Sequence, residues 1–96
     1  MAKNKQESID LLLATHTFPG PFTFKAIGRA EDEFTASVIA IIREVITECE
    51  EIPHSVRESS GGRHMAVTAE PTVDSPETVL VIYERLRKVP GIVMLL

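Results

Sequence analysis

The chain of 96 residues has no tryptophan, one tyrosine, four phenylalanines and a single cysteine, Cys49. One cysteine cannot close an internal disulfide, so a reducing, cytoplasmic setting is expected. Aromatics make up 5% of the residues, too few to favour nucleic-acid binding by base stacking. Positive charge is also short: ten Lys and Arg stand against 14 Asp and Glu, a net charge of -4, which argues against a surface built to neutralise a phosphate backbone. No apolar run approaches the ~20 residues that span a bilayer. The N-terminal "MAKNKQESIDLLLATHTFPG" lacks the long uninterrupted apolar core of a signal peptide, so no membrane role is expected.

What remains is an ordinary globular composition at the length of one domain. Residues 1–17 read as a polar tail and a short helix capped by Ser8, carrying Ile9, Leu12 and Leu13. "FPGP" at 18–21 ends that helix, because proline cannot continue one. In "PFTFKAIGRA", Phe22, Phe24 and Ala26 alternate with Thr23, Lys25 and Ile27, the period of a strand, and Gly28 marks its end or a bulge. Glu31, Asp32 and Glu33 suit the positive end of a helix dipole. Phe34, Val38, Ile41, Ile42, Val45 and Cys49 then recur at helical spacing up to Pro53.

The stretch "VRESSGGRHMAV" poses a choice between a phosphate-cradling loop and a hairpin turn. A phosphate loop opens directly into a helix, whose aligned N–H groups hold the anion. Here Arg63 leads instead into Met65, Val67 and Ala69 alternating with Ala66, Thr68 and Glu70, so Gly61 and Gly62 are expected to form a hairpin. "VDSPET" starts the next helix, with Asp74 or Ser75 as cap and Pro76 in its first turn. Val79, Ile82 and Leu86 form its buried stripe, Arg85, Arg87 and Lys88 sit at its negative end, and "IVMLL" closes the chain as a strand.

The order strand–helix–strand–strand–helix–strand over residues 18–96 predicts an α+β, ferredoxin-like βαββαβ sandwich: a four-stranded antiparallel sheet with two helices on one face. Phe22, Phe24, Val38, Ile42, Val45, Val67, Ile82, Leu86 and Met94 are expected in the core between helices and sheet.

No catalytic constellation appears. His16, His54 and His64 lie on separate segments without local ligand spacing, so no metal or other cofactor is expected, and Cys49 reads as a small buried thiol. An anion at the first crossover, drawn by Gly28 and Arg29, would be repelled by Glu31, Asp32 and Glu33.

The segments "FPGPFTFKAIGRA", "SSGGRHMAVTAE" and "ETVLVIYERLRKVPGIVMLL" resemble the YbeD-like family of small bacterial proteins. The matching residues are Phe18, Pro19, Pro21, Phe22, Phe24, Lys25 and Gly28, then Ser59, Ser60 and Gly61, then Ile82, Tyr83 and Leu86. The resemblance implies a ferredoxin-like fold similar to the ACT regulatory domains that bind amino acids, and brings no catalytic residues. It points to a non-enzymatic regulatory or interaction module, with an amino-acid-like ligand at a dimer interface near the Gly28–Arg29 turn as the alternative.

The last strand is apolar on both faces, which strands usually are only when covered on both. Ile27, Val93 and Leu95 are therefore expected to form an outward apolar patch, covered either by the N-terminal helix or by a partner, a protein or a second copy.

Overall fold

The computed structural model describes residues 4–31, 33–47, 51–59 and 61–96. Its first helix, α1 (Lys5–Thr15), begins a turn earlier than the apolar pattern suggests, because Asn4 rather than Ser8 is the cap: Asn4 Oδ1 accepts the Glu7 N–H at 2.8 Å. After α1 the Phe18–Pro19 peptide is cis, and Gly20–Pro21 (β1) pairs antiparallel with Thr72–Val73 (β5), a small second sheet.

The principal sheet contains β2 (Phe24–Arg29), β3 (His54–Glu58), β4 (His64–Ala69) and β6 (Ile92–Leu95), in the order β3-β4-β2-β6 with every pair antiparallel. α2 (Phe34–Val45) crosses between β2 and β3, and α3 (Pro76–Leu86) between β4 and β6. This is the expected βαββαβ arrangement. Ser75 caps α3, its hydroxyl accepting the Thr78 N–H at 3.3 Å, and Pro76 occupies the first turn, where a missing N–H costs nothing.

Phe24, Ala26, Val67 and Ala69 turn to one side of the sheet and pack with Val38 and Ile42 of α2 and Val79, Ile82 and Leu86 of α3. Both helices therefore share one face. Phe22 and Phe24 stack on each other with ring centroids 4.9 Å apart, and Tyr83 meets Phe24 edge-on at 5.1 Å. Val45 is only partly buried, and Cys49 lies outside the described residues.

Two expectations are corrected. Met94 is not in the core: it is 50% exposed, while Leu95 packs against the helix side. The reason is a bulge. Ile27 pairs with Met94 but Gly28 pairs with Ile92, so Val93 is an extra residue that resets the alternation. Ile92 faces inward and Val93 outward as expected; beyond the bulge the phase inverts.

α1 does not cover the outer sheet face. It lies beside α3 in the helix layer, with Leu12 against the core. Leu11 and Leu13 stay exposed, because its apolar residues do not gather into one stripe.

Candidate functional site

The glycine turn was the sharpest local motif, and it is a hairpin. The Ser59 N–H donates to the His64 carbonyl at 2.8 Å and the Gly62 N–H to the Ser59 carbonyl at 2.9 Å. Gly62 takes φ +69°, the left-handed region that suits glycine, whereas Gly61 does not. Strand β4 follows, so no helix N-terminus faces this turn.

Gly28 is not in a turn. It lies within β2, paired with Met65, and the Phe34 ring fills the space where its side chain would stand. The backbone N–H groups that follow are taken up internally: Arg29 donates to Gly91, Ala30 to Arg63 and Glu31 to Arg29. The expected ligand turn at Gly28 and Arg29 thus has its inner side filled and its donors engaged. Arg29 itself is exposed, paired across the sheet with His64.

The histidines stay apart from one another as metal ligands. His54 stands at the end of β3 opposite Ala69, whereas His64 stands beside the hairpin opposite Arg29. His54 Nδ1 donates to the Ile52 carbonyl at 2.8 Å, and the exposed His16 ring lies 4.7 Å from Phe22. Among the described residues no group of three His, Cys, Asp or Glu side chains comes together as a metal site. Nor is any described helix long and apolar enough to cross a membrane.

The feature that does assemble is the outer face of the sheet. Strand register sets its rows. Ser55, Thr68 and Lys25 align across β3, β4 and β2, and Lys25 exchanges both backbone hydrogen bonds with Leu96. Arg57, Ala66, Ile27 and Met94 form the next row, and His64 and Arg29 the last. Met94, Leu96 and the bulged Val93 are each at least half exposed. A shallow concavity of about 490 Å³ lies at the hairpin end, lined by Ile27, Arg57, Glu58, His64 and Ala66. Along the outer edge of β6 runs a second hollow of about 460 Å³, between Tyr83 and Arg87 of α3 and the strand. Of the expected patch, Ile27 and Val93 face outward, but Leu95 gives its place to Met94 and Leu96. Both were missed for one reason: an all-apolar pentapeptide carries no alternation to read.

Tyr83 closes this edge. Its hydroxyl donates to Leu96 O at 3.2 Å, and burial raises its pKa above the ordinary 10.0.

Comparison with known proteins agrees with this architecture. The profile described as "Protein of unknown function (DUF493)" matches residues 14–96, beginning within α1. A UPF0250 protein of Chromobacterium violaceum is 33% identical over 96 residues, covering 100% of both chains. A UPF0250 protein of Shewanella loihica is 32% identical over 75 residues, 78% of this chain and 83% of that one. Among solved structures, protein HP0495 from H. pylori superimposes with a TM-score of 0.67 at 12% identity, over 84% of this chain and 85% of that one. The ACT domain of a GTP pyrophosphokinase from Chlorobium tepidum gives 0.53 at 14% identity, over 79% and 94%. At these identities the structural likeness concerns the fold, which is ACT-like. On the profile and the full-length relative together, this chain belongs to the DUF493/UPF0250 family of uncharacterised bacterial proteins, the YbeD-like family.

Proposed function

We propose that this chain is a non-enzymatic interaction module that docks a protein on the outer face of its sheet. The observation that carries the reading is the outward apolar strip of Ile27, Met94 and Leu96, flanked by Val93, over which no described element of the chain packs. Such a contiguous strip favours association over solvation. A ligand sensor centred on Gly28 has less support, since the Phe34 ring occupies the inner side of that residue.

The experiment is a comparative capture from the protein's own cells, with the intact chain and the Met94→Lys and Leu96→Lys variants as baits. Both positions are exposed, so circular dichroism and Tm should stay close to those of the intact chain. Proteins recovered by the intact chain should be lost from both variants. Identical recovery by all three baits refutes docking on this face.

A further inference from the structure

From the charges on this face, and resting on the docking reading above, we propose that the partner is acidic: a polypeptide surface with Asp and Glu interspersed among apolar residues. The three rows of the outer face contain Lys25, Arg29 and Arg57, together with His64, and no carboxylate side chain. This is a local inversion, since the whole chain carries -4. Among the described residues no carboxylate pairs with Lys25, Arg29 or Arg57; the salt bridge of Arg85 with Glu44, at 3.6 Å, is on the helix side. Three acids border these rows: Glu58 lines the concavity at the hairpin end with Arg57 and His64, Glu70 stands just beyond the end of β4, and Glu31 shares the space beside Gly91 with Arg29. Leu96 O already accepts from the Lys25 N–H and the Tyr83 hydroxyl.

The same arrangement separates the candidates for occupant. A second copy docked face to face about a two-fold axis would gather Lys25, Arg29 and Arg57 of both copies into one interface, like charge near like. A single-stranded nucleic acid would find cations but only the lone imidazole of His64 to stack on, because Phe22 and Phe24 are buried and no row of the outer face holds a Phe, Tyr or Trp. Apolar residues along β6 and cations along β2 and β3 fit a partner that presents both apolar groups and carboxylates.

The test uses the full chain and four labelled probes: a 12-residue peptide alternating Glu with Val and Leu, its Gln-for-Glu and Lys-for-Glu counterparts, and an oligo-dT of similar length. Binding is followed by fluorescence anisotropy at low and high salt, and the contact surface by amide shifts in NMR. The Glu peptide should bind, shift amides of β2, β4 and β6, and weaken as salt screens the charges. Lys25→Gln, Arg29→Gln and Arg57→Gln should each weaken it roughly two- to fivefold, and the Lys peptide should not bind. The acidic partner is overturned if the Gln peptide binds as well as the Glu peptide. If Met94→Lys abolishes that Gln binding, the docking face survives; if no peptide binds or shifts this face, both readings fall. Oligo-dT binding lost in the same three variants would make the occupant a nucleic acid. Self-association that Arg57→Gln strengthens, seen as a doubled mass in solution, would make it a second copy. Either result overturns the acidic polypeptide.

Discussion

The ring of Phe34, the first residue of α2, lies directly over Gly28, the last residue but one of β2. A Cβ at Gly28 would overlap that ring and come within 2.9 Å of the Gly91 carbonyl oxygen. Glycine is thus required by close approach, and the pair joins the first helix of the crossover to the sheet. Gly28→Ala should destabilise by roughly 1–3 kcal/mol through overpacking. Phe34→Ala, which empties a buried site, should cost about 3–5 kcal/mol. The double variant should cost less than the sum, since the new methyl enters the space the ring has left. Urea denaturation of the four proteins closes the cycle; strict additivity would refute the contact.

The hairpin offers a contrast between adjacent glycines. A Cβ at Gly61 or at Gly62 would meet nothing within 4 Å, so space does not distinguish them; only Gly62 has a positive φ. Gly62→Val should therefore cost about 1 kcal/mol or more through backbone strain. Gly61→Ala should stay within about 0.5 kcal/mol of the parent. Equal costs by thermal unfolding would mean that the turn is not built this way.

Much of this architecture was legible because its signals are local and redundant. Phe24 and Ala26 alternate against Lys25 and Ile27; Val38 and Ile42 repeat at helical spacing; Ser75 and Pro76 mark one helix start. Even Gly28, read as a strand end or a bulge, stands where the β2–β6 register shifts. What could not be read had no local signature. In "IVMLL" every residue is apolar, so the bulge at Val93, which decides the facing of Met94 and Leu95, leaves no trace in the pattern. The β1–β5 pair is two residues long on each side and joins segments some fifty residues apart. The seat of α1 beside α3 depends mainly on Leu12, and Ile9 and Leu13 suggested a broader apolar face than forms. The cations of the outer face come from β2 and β3, and only strand register brings them together.

Tyr83 is the sole tyrosine, so absorbance near 295 nm in alkali reports it alone. Burial disfavours its phenolate, placing the folded pKa above the unfolded value of about 10. With the folded pKa raised, the stability it contributes is complete below pH 10 and is lost as pH rises through the folded pKa. The titration midpoint should lie above 10 in the native chain and return to about 10 in urea. The decline of stability above pH 10 should be shallower in Tyr83→Phe than in the parent. A native midpoint at or below 10 would contradict the burial of this hydroxyl.

The facing of β6 gives the prediction closest to function, because neighbouring residues should respond oppositely to one substitution. Leu95 is partly buried and packs on the helix-side core beside Ala26, its partner in the ladder. Lysine there would strip apolar packing and draw an ammonium toward the core, so Leu95→Lys should lower stability by roughly 1–3 kcal/mol. Met94, paired with Ile27 and half exposed, can carry an ammonium into water, so Met94→Lys should change stability by less than about 0.5 kcal/mol. Deleting residues 1–15 should leave this contrast intact, since α1 lies in the helix layer beside α3. Denaturant unfolding of both variants, with and without residues 1–15, checks the assignment. A stable Leu95→Lys beside a destabilised Met94→Lys would restore simple alternation along the strand and remove the bulge. The outward strip would then consist of Val93 and Leu95, and docking would have to be sought on those side chains instead.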